Sequence, residues 1–96
     1  MNRVAVVGCG PAGIAAAVQL GREGRRPLVF ESRHPGGLLR NAYLVENYPG
    51  FPGGISGPAL VERMSAQLDR SGIELRREEI VELRPRPGGF LLRGTT

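Results

Sequence analysis

Hydrophobic residues in the first third of the chain form two short runs, with a segment of helical spacing between them. Residues 4–7 are apolar and mostly β-branched, which is typical of a strand buried on both faces. Small apolar residues then continue to Leu20, and Gly24 follows, which predicts a helix that ends near that glycine. A second apolar run, residues 27–30, closes with Glu31. The order strand, helix, strand predicts an α/β fold with a parallel sheet.

The rest of the chain predicts one more helix and several short strands. Residues 32–56 show no periodicity but hold several aromatic side chains, so we expect this loop to fold down onto a surface. A helix is predicted between an N-cap at Ser56 and a stop at Ser71-Gly72. Its apolar stripe, expected to be core, is Leu60, Val61, Met64 and Leu68. Short strands are predicted at residues 73–75, 80–83 and 90–93, with the chain stopping in a hairpin or meander.

Three glycines follow the first predicted strand in the spacing G-x-G-x-x-G. Gly8 would permit a tight turn, Gly10 would leave room for a pyrophosphate, and Gly13 would let the helix pack closely on the strand. The free N–H groups of that helix would point at the phosphates. Glu31 lies 18 residues beyond Gly13, where a dinucleotide fold places the carboxylate that binds a ribose. These features predict a nucleotide site, and the alternative is an ordinary βαβ turn with chance glycines.

Length and charge restrict the classes of function. The 96 residues suffice for one small domain, whereas most dinucleotide enzymes are much longer. The net charge is +4 and all 13 basic residues are arginine, but they are scattered among glutamates, which argues against nucleic-acid binding.

No apolar run suits a membrane span or a signal peptide, so we expect a cytoplasmic protein. Cys9 is the only cysteine, which excludes an internal disulfide, and no metal site is predicted.

The most specific motif lies in the long loop and at the start of the helix that follows it. Residues 45–58 read V-E-N-Y-P-G-F-P-G-G-I-S-G-P, and residues 60–64 read L-V-E-R-M. With the glycine-rich turn and Gly36-Gly37, these residues make nearly the whole chain resemble the N-terminal segment of the low-molecular-weight thioredoxin reductases. The resemblance implies that residues 1–96 are an incomplete, three-layer, Rossmann-like FAD-binding domain.

The resemblance also implies FAD, rather than free NAD, at the first glycine motif. The family usually has Gln after the double glycine, so Leu38 would remove one polar side chain beside the flavin. By this resemblance the pyrophosphate would contact Gly8, Gly10, Pro11, Ala12 and Gly13, and the adenosine ribose would contact Glu31. The phosphate and ribityl side of the flavin would contact Gly36, Gly37 and Leu38. Asn47 would lie near the isoalloxazine, and the backbone of Ile80 would contact the adenine.

The implied parent protein is an oxidoreductase that passes electrons from NADPH through FAD to a disulfide or a similar acceptor. Thioredoxin would be the redox partner, and the full-length form would be a homodimer. The NADPH site and the redox Cys-x-x-Cys would lie beyond Thr96, so we expect no catalytic residue and no activity in the chain alone. The alternatives are a sister reductase that serves ferredoxin or flavodoxin, a non-catalytic or truncated dinucleotide-binding module, and an NAD-binding module, which leaves the Pro-Gly-Gly turn unexplained.

Three further residues have reactive or polar side chains for which the sequence shows no catalytic or metal-binding partner. Cys9 stands where the turn needs a small residue, so we interpret it as structural. His34 has no paired acid and no metal-ligand spacing, which favours a solvated loop residue over a cofactor contact. Tyr48 could border the flavin, but an apolar anchor for the loop is the favoured role.

Overall fold

The computed structural model describes residues 3–96, which follow the order of an α/β fold. The first strand, helix and strand occupy the positions that the hydrophobic pattern predicts, to within one or two residues at most ends. The elements are β1 (Ala5–Val7), α1 (Pro11–Arg22), β2 (Leu28–Glu31), a 3-10 helix η1 (Gly37–Asn41), α2 (Gly57–Arg70), β3 (Glu74–Arg77), β4 (Ile80–Arg86) and β5 (Gly89–Gly94).

A three-stranded parallel sheet, in the order β1-β2-β3, organises the molecule. Val6, Val29 and Leu75 lie side by side in its register. Because the strands are parallel, their carboxyl ends meet at one edge of the sheet, which is where α/β folds bind ligands. The α/β fold predicted from the sequence is therefore confirmed.

Two helices cover one face of this sheet and form the core with it. Helix α1 packs on β1 and on α2, and small side chains such as Ala17 allow the close approach. The predicted apolar stripe of α2 is confirmed, because all four of its residues are buried. The main core residues are Cys9, Ile14, Ala17, Val29, Val45, Leu60, Met64 and Leu68.

The expectation that the first strand is buried on both faces was wrong. Val7 is 58% exposed, and Ala5 is also exposed. Ala5 and Val7 alternate with Val6 and share one face of the sheet, whereas Val6 packs against the core on the other face. A β-branched run indicates a strand that fits a buried sheet, but burial of the strand also requires neighbouring layers that cover its faces.

Turn residues begin and end the helices as the sequence indicates. The Ser56 hydroxyl accepts a hydrogen bond from the backbone N–H of Ala59 at 3.2 Å, which confirms the predicted N-cap. Gly24 follows α1 with φ of 81°, and Gly72 follows α2 with φ of 68°. Both are left-handed conformations that glycine adopts without strain.

The long loop is more ordered than its lack of periodicity suggests. It contains η1, and an isolated antiparallel bridge joins Val45 to Ile55. Val45 is buried, while Tyr48 and Phe51 pack against the core, so the loop does fold down as expected. Tyr43 is an exception, since its side chain is 93% exposed.

The last two strands form an antiparallel hairpin, β4–β5, apart from the parallel sheet. Strand β4 runs on to Arg86, three residues beyond the predicted end, because Pro85 is tolerated in a two-stranded ribbon. Leu83 and Phe90 are 59% and 65% exposed. Across residues 3–96, no helix is both long and apolar enough to cross a bilayer.

Candidate functional site

The glycine-rich turn leaves β1 at the carboxyl edge of the sheet. Gly8 has φ of 98°, a left-handed conformation that favours glycine. Its backbone N–H donates to the carbonyl of Phe30 at 2.8 Å, which ties the turn to β2. The chain reverses within two residues and enters α1 at Pro11. The predicted tight turn out of the first strand is thus present.

Two glycines of the motif have different physical roles. A Cβ at Gly13 would lie 2.0 Å from the carbonyl oxygen of Gly8, so only glycine allows α1 to approach the turn this closely. A Cβ at Gly10 would meet no atom of the chain within 4 Å. Glycine at position 10 is therefore not required by the packing of the chain itself. The free space lies beside the N-terminus of α1, where unpaired N–H groups and the helix dipole favour an anion.

Glu31 reaches from the end of β2 to this turn. One carboxylate oxygen accepts a hydrogen bond from the Cys9 N–H at 2.7 Å, and the other accepts from the Arg33 N–H at 2.9 Å. Burial alone would raise the pKa of Glu31, but backbone hydrogen bonds from Arg33, Cys9 and Ser32 outweigh it and lower the pKa below its usual value. The carboxylate is therefore ionised at neutral pH, held in one orientation, and still has lone pairs free for hydroxyl donors.

The double glycine packs on the same turn from the other side. The Gly36 N–H donates to the carbonyl of Cys9 at 2.8 Å. Gly36 has φ of 112°, and a Cβ there would lie 2.6 Å from a methyl carbon of Val61 on α2. A Cβ at Gly37 would lie 3.6 Å from the Cα of Gly10. Backbone conformation and packing on α2 already require glycine at position 36, whether or not a ligand passes it.

The remaining predicted site residues lie at the margins. Leu38 is 88% exposed and lines a cavity of about 350 Å³ together with Glu31. Asn47 is exposed and lines a separate shallow depression of about 310 Å³ with Tyr48 and Phe51. Ile80 is half-buried and opens β4. The structure therefore brings the glycine turn, Glu31, the double glycine and Leu38 together, and leaves Asn47 and Ile80 on the flanks.

Cys9 has no exposed surface and belongs to the core cluster. Burial raises the pKa of its thiol, and the neighbouring Glu31 carboxylate raises it further. A buried, protonated thiol is a poor nucleophile, which agrees with the structural role expected from the sequence. Within the described part of the chain, no group of three or more His, Cys, Asp or Glu side chains is placed to hold a metal ion.

Sequence reasoning missed the basic residues beside Glu31. Arg77 ends β3 and pairs directly with Glu31 in the sheet register. Its guanidinium contacts the ring of His34, which follows β2. The only signal in the sequence was that both residues come near the ends of predicted strands, and parallel strands bring such positions together. His34 is exposed, as expected, but it is not an isolated loop residue.

Comparison with known proteins agrees with this geometry. Residues 6–51 match the family described as NAD(P)-binding Rossmann-like domain. A thioredoxin reductase of Streptomyces coelicolor is 45% identical over 82 residues, which cover 84% of this chain and 26% of that protein. A solved thioredoxin reductase of Lactococcus lactis superposes with a TM-score of 0.91 at 29% identity, over 99% of this chain and 31% of that one. A ferredoxin-flavin thioredoxin reductase of Clostridium acetobutylicum gives a TM-score of 0.86 at 28% identity, over 98% of this chain and 33% of that one.

The similarity is broad along this chain but partial along the relatives. The chain spans between a quarter and a third of these three proteins. The matched family covers β1, α1, β2 and most of the long loop. The glycine turn and Glu31, at the carboxyl edge of the sheet, therefore lie within the segment that matches this family.

Proposed function

We propose that this chain, which is similar over most of its length to thioredoxin reductases, is the FAD-binding portion of such a reductase. The parent enzyme would pass electrons from NADPH through FAD to a disulfide or a similar acceptor. The chain itself would bind the adenosine and pyrophosphate end of the cofactor and would contribute no catalytic residue. NADPH and a redox protein such as thioredoxin would bind to parts of the enzyme outside these residues.

The observation that carries the proposal is the open space above Gly10. Packing inside the chain explains why glycine stands at positions 13 and 36, but it does not explain glycine at position 10. A bound pyrophosphate does, because a side chain there would occupy the place of the phosphates. The space adjoins the start of α1, and free N–H groups at a helix start favour an anion.

The residues present fit FAD better than they fit a phosphorylated nicotinamide cofactor. Glu31 is ionised and oriented, and a carboxylate in that position accepts hydrogen bonds from ribose hydroxyls but repels a 2′-phosphate. Gly36 and Gly37 bring η1 against the phosphate turn. The rest of an extended cofactor would pass the double glycine. When bound, the flavin would supply the two-electron chemistry.

A graft tests the proposal without requiring the 96 residues to fold alone. This chain replaces the matching segment of the Streptomyces coelicolor thioredoxin reductase, to which it is 45% identical. We expect the purified chimera to carry the visible spectrum of FAD and to oxidise NADPH. The matched control carries Gly10→Val, which adds bulk where the chain has free space, and it should fold yet purify without flavin.

A chimera that unfolds cooperatively but takes up neither bound nor added FAD would contradict the proposal. Uptake of NAD in place of FAD would favour the NAD-binding alternative. Circular dichroism and thermal unfolding on the same samples separate loss of binding from loss of fold. Titration of the apo-chimera with FAD, AMP and NAD compares the three ligands directly.

A ferredoxin-type reductase is a second candidate for the parent protein. The similarity to the Clostridium acetobutylicum structure supports it, as does Leu38, which stands where the resemblance leads one to expect a polar residue. The adenosine end would be used in the same way by either enzyme. The chimera's preference between NADPH and reduced ferredoxin does not discriminate, because the sites for these two electron donors belong to the host. Sequencing past Thr96 in the source genome discriminates, since a Cys-x-x-Cys motif is expected in either reductase and an NADPH-binding glycine motif in one only.

A further inference from the structure

A basic pair stands beside the carboxylate at the end of β2. The guanidinium of Arg77, through Nη2, lies 3.1 Å from Nδ1 of His34. Arg77 is the last residue of β3 and pairs with Glu31 in the parallel register. The backbone N–H of Glu78 donates to the carbonyl of Glu31 at 2.9 Å, which fixes this register at the edge of the sheet. The pair is therefore positioned by the sheet and not by the loop alone.

His34 also borders the cavity that Glu31 opens into. That cavity, of about 350 Å³, is lined by Glu31, Arg33, His34, Gly37, Leu38, Arg40 and Asn41. Glu31 and His34 thus face one space from two sides. The glycine turn lies next to it, because Gly36 bonds to Cys9 and Gly37 contacts Gly10.

The contact with Arg77 fixes the tautomer of His34. A guanidinium carries only donors and stays charged in proteins. Nδ1 of His34 must therefore accept, which places the proton of the neutral imidazole on Nε2. The ring then offers one N–H donor and one aromatic face to its surroundings.

We propose that His34, oriented by Arg77, forms the outer wall of the adenosine subsite and donates a hydrogen bond from Nε2 to the adenine or its ribose. The inference rests on the proposed function, since it deepens the description of the same FAD site. Adenine ring nitrogens and ribose oxygens are acceptors, so they suit an N–H donor. The aromatic face of the imidazole suits the flat base.

The ligand at this point is a neutral nucleoside rather than a phosphate group. Glu31 is ionised and borders the same cavity, and its carboxylate offers only acceptors, so the ligand group beside it must bring hydroxyl donors, as a ribose does. Arg33 and Arg40 offset this charge at the rim, and Arg40 is itself committed to the carbonyl of Pro35 at 3.1 Å. Arg77 is a positioning residue in this scheme, because it acts through the ring of His34.

The test compares affinities in the chimera described above, with its FAD removed and added back. His34→Ala should weaken FAD about five- to tenfold, the loss expected for one hydrogen bond and its stacking contact. Arg77→Ala should weaken it about two- to fivefold, because the ring loses its orientation. His34→Gln, whose amide can accept from Arg77 and donate in turn, should stay within about twofold of the parent. Arg86→Ala, an exposed arginine on the hairpin, is the control and should change nothing.

Competition by the two halves of FAD separates a binding role from a structural one. AMP and FMN are each titrated against FAD uptake by the apo-chimera. His34→Ala should raise the inhibition constant of AMP by the same factor as the dissociation constant of FAD, and leave that of FMN unchanged. Equal losses for AMP and FMN would show a merely structural role and overturn the inference.

The outcomes also separate this inference from the proposed function. If the chimera binds FAD and His34→Ala stays within twofold, the inference fails while the FAD site stands. If the folded chimera takes up no FAD at all, the proposed function fails and this inference fails with it. Thermal unfolding of each variant shows whether a loss of affinity merely reflects a loss of fold.

Discussion

Substitution of two glycines that lie three residues apart should have different effects. Alanine at position 13 should lower the stability of the fold, whereas alanine at position 10 should mainly weaken FAD binding. Gly13→Ala would place a methyl carbon 2.0 Å from the carbonyl oxygen of Gly8 and 3.0 Å from its carbon. These are backbone atoms and cannot rotate away. To reach even 3.0 Å from that oxygen, α1 must move away from the turn. The same movement would disturb the hydrogen bond from the Gly8 N–H to Phe30.

The cost of Gly13→Ala follows from these contacts. Overpacking of this kind costs about 1–3 kcal/mol, and loss of the Gly8 hydrogen bond adds about 1 kcal/mol. Alanine returns about 0.5–1 kcal/mol through its higher helix propensity. We therefore expect a net loss of about 1–3.5 kcal/mol in the free energy of unfolding, with FAD affinity falling because the turn is displaced.

Gly10→Ala is the matched variant. Gly10 has φ of −78° and ψ of −169°, an extended conformation that alanine adopts, and its Cβ would meet no atom within 4 Å. Its effect on the free energy of unfolding should stay within about 1 kcal/mol, because a lost N-cap preference and reduced unfolded-state entropy oppose each other. Its effect on FAD should be large, since the methyl group takes the space of the phosphates.

Urea unfolding of the two apo-chimeras and FAD titration of both measure the two effects. The reasoning would be refuted if Gly13→Ala unfolded at the same urea concentration as its parent. It would also be refuted if Gly10→Ala bound FAD with unchanged affinity. A result in which both variants lose stability equally would show that the space above Gly10 is needed by the fold.

Four other outcomes follow from the same structure. Glu31→Ala should weaken FAD by about 1.5–3 kcal/mol, the usual value of hydrogen bonds to a charged group, and equal affinities in titration would make this acid a surface residue. Hydrogen bonds lower the pKa of Glu31, so its contribution to stability is complete above the unfolded-state pKa of about 4.3 and is lost as the pH falls through the lower folded-state value. The free energy of unfolding, measured as a function of pH, should show this loss in acid. Glu31→Gln should abolish that pH dependence. Ser56→Ala should cost about 1 kcal/mol through loss of the N-cap, read from urea midpoints against Ser65→Ala as control. The 96 residues alone should associate and hold FAD weakly, since Val7 and Phe90 are 58% and 65% exposed; a cooperative monomer with tightly bound flavin in sedimentation would contradict this.

The sequence predicted the features that depend on local backbone geometry. The turn at Gly8, the cap at Ser56 and the stops at Gly24 and Gly72 are all properties of a few consecutive residues. The helical stripe of α2 was equally predictable, because its period follows from the helix itself. These elements are where the sequence and the structure agree most closely.

The sequence could not predict features that depend on what lies opposite a residue. Val7 and Tyr43 are apolar or aromatic, yet their exposure depends on neighbouring layers and not on their own type. The contact between His34 and Arg77 joins positions 43 apart in the chain. It exists because β2 pairs with β3 in one register, and a shift of one residue would remove it. The role of Gly57 was missed for the same reason, since a Cβ there would collide with the carbonyl oxygens of Leu39 and Ala42.

The support for the two ends of the cofactor is unequal within the chain. At the proposed adenosine end, Glu31 is held by two backbone N–H groups and His34 by a guanidinium, so these side chains are oriented without a ligand. At the proposed flavin end, Leu38 is 88% exposed and Asn47 is also exposed. A hydrogen bond from an exposed amide exchanges with water and adds little affinity until another surface excludes that water. We infer that these residues recognise the nucleotide half of FAD largely by themselves, whereas tight binding of the flavin half requires the protein surface that a complete reductase would place over Leu38 and Asn47.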